Sequence, residues 1–445
     1  MTTAWVAEAA GGRLLGGEPD ALGPRRVAID TREVAAGDLF VGLRGEHVDG
    51  GAHAPDALAA GAWGVLVAPA HAERASVAAP PGAAVIVADD PLAALQGLAR
   101  AWRRELGCKV VGVTGSTGKT STKDILAAVL TPHLDVHANR ENLNTEIGLP
   151  LTILAAEAGT EALVLEMAMR GEGQIAELVA IAEPDVGVIV NVGPVHLELL
   201  GTVERVAAAK AELIRDLRAG GSCVVPASEP LLDRHLRDDL DTITFGPGGE
   251  VMLLSFEARA DGRGGRAEIE ARGNRVLLDL PYAEPHNLLN TLAAVAAATA
   301  LGVRPVGAVD VSFSSLRGEI VELPGGVTVV NDCYNANPMS MRAALKHLAE
   351  TPAERRVAVL GTMAELGPAS GDFHREIGEE AAALGIDVLI TVGEAALGYG
   401  AGYDGETYAA PTPEEAGALL EEIAQPGDRV LIKGSRSAGL ERVLA

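Results

Sequence analysis

Aromatic residues make up only 3% of the 445-residue chain, so Ala, Gly and Val must carry most of the packing. Lysine is scarcer still: Lys109, Lys119, Lys123, Lys210, Lys346 and Lys433 are the whole complement, which makes each one informative. The three cysteines, Cys108, Cys223 and Cys333, are widely spaced and form no C-x-x-C pair. That excludes a disulfide framework and a zinc site and fits a reducing cytoplasm, the expected location. Positive charge is in deficit, with a formal net charge of −25. Such a chain repels nucleic acid and anionic membrane, so neither is an expected partner. An anionic substrate would need local basic groups or backbone N–H sites. No uncharged apolar run reaches about 18 residues, and "MTTAWVAEAAGGRLL" has no basic segment leading into an apolar one. Neither a membrane span nor a signal peptide is expected.

What is present is core-forming material: 48% of the residues are hydrophobic, in a length that suits two to four domains. Three α/β blocks are expected. Residues 1–105 mix short strands ("VAID", "DLFVGL", "GVLVA", "AVIVADD") with Ala-rich helices and close on a helix that Pro91 begins. In residues 106–305 the apolar strands "KVVGVTG", "EALVLEMAM" and "DVGVIVNVG" alternate with helical segments, the pattern of a mostly parallel sheet. A Gly-rich stretch, 246–275, reads as antiparallel hairpins. Residues 306–445 alternate strand and helix again, predicting a smaller, doubly wound, Rossmann-like domain.

The segment "VVGVTGSTGKTSTKDIL" carries the clearest chemistry. It is one residue short of the usual G-x-x-x-x-G-K-[ST] phosphate loop, with Val113 where the first Gly would fall. The loop offered is Gly115-Ser116-Thr117-Gly118-Lys119-Thr120-Ser121, between a strand and a helix. The two glycines let backbone N–H groups face a phosphate, Lys119 can reach the β- and γ-phosphates, and Thr120 can ligate Mg²⁺. A Gly turn capping a helix is the plainer alternative. Asn142, Asn144 and Thr145 crowd the loop of "NRENLNTEIGLPLTIL", where turn and cap residues alone would read the same way. Glu166 ends an apolar strand, and His196 with Glu198 follows another. In open α/β sheets that edge is where ligands sit. A solvated Glu or a structural His is the bland reading of each, but Thr120, Glu166 and His196 converge from three strand ends. Lys210 lies on a helix, where a surface charge is the ordinary reading.

Together these segments resemble the Mur ligase family, whose own phosphate loop has the short "TGSTGKT" form. The resemblance covers nearly the whole chain. It includes "AIDTREVAAGDLFVGLRGEHVDG", "ENLNTEIGLPLTIL", "GPVHLELLGTVERVAAAKAEL", "VNDCYNANPMSMRAAL", "VLGTMAELG" and "LIKGSRSAGLE". "YNANP" with "KGSRS" points to the branch that adds a dipeptide. The D-N-P-R string of the branch that adds the third amino acid is absent. Two departures are Thr362, where the family has Asp, and "VVPASEP", where it has an Asn-containing strand end.

The resemblance implies an ATP-dependent ligase that joins D-Ala-D-Ala to UDP-N-acetylmuramoyl-tripeptide through an acyl phosphate. The small N-terminal domain would bind the uridine substrate, the central one ATP, and the C-terminal one the incoming dipeptide. It implies that Gly118, Lys119 and Thr120 hold ATP phosphates, and that Thr120 and Glu166 serve one Mg²⁺. His196 and a carbamylated Lys210 would serve a second. Asn287 and Asn290 would contact adenine, while Arg317, Asp332 and Tyr334 would lie beside phosphates and ribose. Asp30, Thr31, Arg32, Arg44 and Asp49, with Asn142, Asn144 and Thr145, fall to the UDP-substrate. Asn335, Asn337, Lys433, Ser435 and Arg436 fall to the dipeptide side. A monomer is expected. Two alternatives stand beside this reading: another amide ligase of the same fold, such as a folylpolyglutamate synthase, and an ATP-binding switch without turnover.

Overall fold

The computed structural model describes residues 1–140, 142–259, 264–314 and 316–444. Three sheets organise it. The N-terminal sheet runs Arg13–Gly16, Ala84–Val87, Gly64–Val67, Asp38–Val41, Arg26–Ala28, with only the first pair antiparallel. Its inner strands are buried on both faces, as a parallel sheet covered by helices requires. The helix Pro91–Leu106 leads out of it. Asp90 accepts from the N–H groups of Leu92 and Ala93, Pro91 opens the first turn, and Gly107 at φ 63 ends the helix. Trp102 donates from Nε1 to the Ala156 carbonyl at 3.0 Å, fastening this helix to the end of helix Gly148–Ala155. One hydrophobic core runs continuously from Leu39, Leu66 and Ile86 to Leu165, Ile189 and Leu213.

The central sheet has ten strands. Its half nearest the site is ordered Ser222–Pro226, Val186–Ile189, Lys109–Thr114, Ala162–Glu166, Val136–Ala138, all parallel. The chain passes from one side of Lys109–Thr114 to the other between Ala162–Glu166 and Val186–Ile189, and a crevice opens at the carboxyl ends of these strands, as in open α/β sheets generally. Antiparallel pairing links Val251–Ala258, Gly265–Ala271 and Asn274–Leu280, the hairpins expected from the Gly-rich stretch; residues 260–263 lie outside the described residues. The first part of that stretch is corrected. Gly246 (φ 94) and Gly248 (φ 79) turn the chain so that Phe245 meets Val251 in a single parallel pair. The sheet's far edge is Gly307–Ala308.

The C-terminal sheet runs Glu319–Leu323, Val327–Asn331, Asp428–Lys433, Arg355–Gly361, Val388–Val392, Glu406–Ala410, with one antiparallel edge pair and helices on both faces. Among the described residues no helix is long and apolar enough to cross a membrane.

Candidate active site

Strand Lys109–Thr114 is apolar and buried beyond its first residue, so it fixes where the next loop begins. Gly118, at φ 76, lets that loop turn into helix Lys119–Leu130; a Cβ there would stand 2.7 Å from Asn290 Oδ1. Asn191, at the end of the adjacent strand, shapes the loop. Its Oδ1 accepts from the N–H groups of Ser116 (3.1 Å) and Thr117 (2.9 Å), and its Nδ2 donates to the Thr117 carbonyl (3.0 Å). Lys119 Nζ folds back onto the Gly115 carbonyl at 2.9 Å.

Thr120 Oγ1 donates to Glu166 Oε2 at 2.7 Å, and Asn144 Nδ2 donates to Glu166 Oε1 at 2.8 Å. The backbone of Glu166 is pinned by Asn139, which accepts from its N–H (2.9 Å) and donates to its carbonyl (3.0 Å). Lys123 holds Asn139 in turn, donating to its carbonyl at 2.7 Å. Two strand ends and the Asn-rich loop thus meet at one buried carboxylate.

His196 sits at the start of a short helical turn with φ 54. Its Nδ1 meets a carboxylate oxygen of Glu365, from the C-terminal sheet. Burial pushes its pKa down against the opposing pull of Glu365, and the charges of Lys210 and Lys119 push the same way as burial. Lys210 is 2% exposed on helix Val203–Asp216, and forms no salt bridge among the described residues. Burial, then the charge of Lys119, holds its pKa well below the usual lysine range. Burial lowers that of Lys119 too. The positive charges these three groups can carry oppose one another here, an arrangement that calls for an anion.

A cavity of about 880 Å³ lies between the central and C-terminal sheets; Lys210, Lys123, Asn139 and Glu365 are outside its lining. Its lining includes Ser116 through Ser121, Asn142, Asn144, Thr145, Glu166 and His196 on one side. Asn287, Asn290, Arg317, Asp332, Tyr334, Asn335, Asn337 and Lys433 also line it. The Arg317 guanidinium lies 4.1 Å from the centre of the Tyr334 ring. Lys433 Nζ pairs with Asp332 at 2.6 Å. Asn337 caps helix Pro338–Glu350 and directs its Nδ2 at the Ser116 carbonyl, 3.5 Å away, so the C-terminal sheet touches the phosphate loop directly.

Other candidates stand apart. Ser435 is buried, but its hydroxyl donates to the Ala336 carbonyl (3.2 Å) and accepts from the Ala364 N–H (2.9 Å), so it shapes the loop rather than facing the cavity. Arg436 is outside the lining and pairs with Glu441 at 3.2 Å. Asp30, Thr31, Arg32, Arg44 and Asp49 lie in the loops that follow strands Arg26–Ala28 and Asp38–Val41 of the N-terminal sheet, outside this cavity's lining. There Asp30 grips the Arg32 side chain, and Asp49 Oδ2 meets His71 Nε2 at 2.9 Å. Asn139, Asn191, Glu365 and His71 were not anticipated. Only Asn191 left a signal, as a polar residue closing the apolar run "DVGVIVN".

The chain matches three family descriptions in order: Mur ligase family, catalytic domain (residues 25–103), Mur ligase middle domain (113–298) and Mur ligase, glutamate ligase domain (316–436). It is 36% identical over 428 residues to a Bacillus subtilis (strain 168) protein named UDP-N-acetylmuramoyl-tripeptide--D-alanyl-D-alanine ligase, covering 94% of this chain and 92% of that one. The Escherichia coli (strain K12) protein of the same name is 32% identical over 430 residues, with the same coverage. Among solved structures, MurF from Acinetobacter baumannii superposes with a TM-score of 0.87 at 27% identity, covering 100% of this chain and 97% of that one. MurF ligase from Thermotoga maritima in complex with ADP superposes with a TM-score of 0.81 at 34% identity, covering 94% and 96%.

Proposed function

The chain belongs to the Mur ligase family, and from that premise we propose that it joins D-Ala-D-Ala to UDP-N-acetylmuramoyl-tripeptide at the expense of ATP. The observation that carries the reading is the Thr120–Glu166 contact beside the phosphate loop, in one cavity with His196 and with the C-terminal sheet lying over it. The tripeptide carboxylate attacks the γ-phosphate in line, giving an acyl phosphate and ADP. The amine of the dipeptide then attacks the acyl carbon, and phosphate leaves.

Each residue has a task in that sequence. Lys119 and the N–H groups of residues 118–120, which Asn191 leaves free, bind the phosphates and neutralise charge as the phosphoryl group moves. Asn287 and Asn290 hold adenine; Arg317 and Tyr334, stacked on each other, flank the nucleotide with Asp332. Lys433, held by Asp332 and the Asn335 carbonyl, and Asn335 would border the dipeptide on the C-terminal side of the cavity. The C-terminal sheet keeps water from an acyl phosphate that would hydrolyse. The residues present suit Mg²⁺. Thr120 and Glu166 are hard oxygen donors already side by side. Among the described residues no three Asp, Glu, His or Cys side chains converge, which fits an ion that keeps water and phosphate oxygens in its shell. A second Mg²⁺ would take His196 and Lys210 as its carbamate. Bound Mg²⁺ supplies charge neutralisation on the phosphoryl oxygens. The uridine substrate would be held on residues 1–105, the ATP on 106–305 and the dipeptide on 306–445. The protein would act as a cytoplasmic monomer.

The test is release of ADP and phosphate. With ATP and Mg²⁺, both should appear rapidly only when UDP-muramoyl-tripeptide and D-Ala-D-Ala are present together. Equal release with either omitted overturns the assignment.

A further inference from the structure

His196 and Glu365 stand on different sheets, at the ends of loops that follow strands Val186–Ile189 and Arg355–Gly361. Two of the five non-glycine residues with positive φ among the described residues are this pair, at 54° and 60°. Side chains with a Cβ are disfavoured in that region, so both loops are held in shapes they would not choose alone. What holds them is a docking of loop on loop. The Glu198 N–H donates to the Glu365 carbonyl at 3.3 Å, and a Cβ added to Gly367 would sit 3.2 Å from the Glu198 Cα. The Glu365 carboxylate then divides its oxygens. Oε2 meets His196 Nδ1, and Oε1 lies 3.4 Å from Arg170 Nε.

A carboxylate can only accept, so Nδ1 carries the proton. That leaves the Nε2 lone pair of a neutral imidazole free, and His196 borders the cavity. A His whose second nitrogen donates to a carboxylate is fixed in tautomer and ring orientation, and is a better cation ligand for it.

We propose that Glu365 is a positioning residue: it fixes His196 through Nδ1, so that the His196 cation site is complete only while the C-terminal sheet is docked on the central one. The inference rests on the reading that His196 faces a divalent cation. It makes docking of the dipeptide-side sheet a condition for assembling the phosphoryl-transfer site, which would discourage ATP turnover before the chain has closed.

The test is Mn²⁺ binding by the full chain with ADP present, followed by the electron paramagnetic resonance signal of free Mn²⁺. Glu365→Ala should weaken the second Mn²⁺ about 10- to 100-fold. Glu365→Gln, whose amide oxygen can still accept from Nδ1, should retain most of the affinity. Glu365 is 37% exposed, so its truncation opens no buried gap. The double variant Glu365→Ala/His196→Ala should bind Mn²⁺ no worse than His196→Ala alone, because one residue acts through the other. Additive losses would mean that Glu365 serves docking only, and overturn the proposal. So would unchanged affinity in Glu365→Ala alongside a loss in His196→Ala. If His196→Ala itself leaves Mn²⁺ binding unchanged, the cation reading fails and takes this one with it.

Discussion

Thr120 Oγ1 and Glu166 Oε2 lie 2.7 Å apart, joining the first turn after the phosphate loop to the end of the neighbouring strand. The bond is charge-assisted, and the carboxylate's other oxygen is taken by Asn144.

Glu166→Gln therefore separates charge from shape. The amide keeps the volume and can still accept from Thr120, but its negative charge is gone. Coupled ADP release should fall about 10²–10³-fold, the scale of losing one electrostatic contact to a transferring group. The Mg²⁺ concentration for half-maximal rate should rise. A loss under about tenfold at unchanged Mg²⁺ dependence would reduce Glu166 to a brace between two loops.

Gly118→Ala tests the loop's backbone. The left-handed conformation costs a residue with a Cβ about 1–2 kcal/mol. The new methyl would also stand 2.7 Å from Asn290 Oδ1, on a buried helix. ADP affinity measured by calorimetry should fall at least tenfold, with a modest drop in melting temperature. Wild-type affinity would show that the loop can relax and that Asn290 does not bear on the nucleotide.

The strand–loop–helix at 109–130, the parallel strands and the approach of Thr120 to Glu166 were legible because each follows from local pattern: a strand, a glycine pair and a hydroxyl read in order along the chain. Asn191 and Asn139 act by reaching across strands; Asn191 shows only as the polar end of an apolar run, and nothing in its neighbours marks Asn139. Glu365 was less legible still. It meets His196 only because two sheets dock, a relation 169 residues apart in sequence. Ser435 shows the converse. Its type and motif suit a ligand contact, yet burial spends its hydroxyl on the Ala336 carbonyl and the Ala364 N–H. The Gly-rich stretch at 246–251 misled because glycine permits a turn without specifying its direction.

Arg44 tests the N-terminal sheet. It is exposed and bridges Asp49 through the backbone, beside the Asp49–His71 contact. In an acidic chain, a cation there is a natural partner for a pyrophosphate. Arg44→Ala should raise KM for the UDP-substrate about 10-fold or more while kcat stays within about twofold. The lost contact is remote from the reacting carboxylate and is made equally in ground and transition states. An unchanged KM would move the pyrophosphate elsewhere.

Lys210 offers the sharpest contrast between readings. As a solvated helix lysine it would be dispensable, but it is 2% exposed and its pKa is held well below the usual range by burial and by Lys119. A buried ammonium without a carboxylate is costly, and the neutral amine is the form that takes up CO₂. The resulting carbamate would exchange a suppressed positive charge for two hard oxygen donors, suited to Mg²⁺. It would also supply an anion among Lys119 and His196, whose fields now oppose one another. Lys210→Ala should lose most activity, and acetate should restore part of it by occupying the gap beside the cation. Lys210→Arg should be inactive, since a guanidinium neither carbamylates nor ligates Mg²⁺. With ¹³C-bicarbonate, the wild-type chain should show a carbamate resonance that Lys210→Arg lacks. Full activity in Lys210→Arg would leave Lys210 no role in the chemistry.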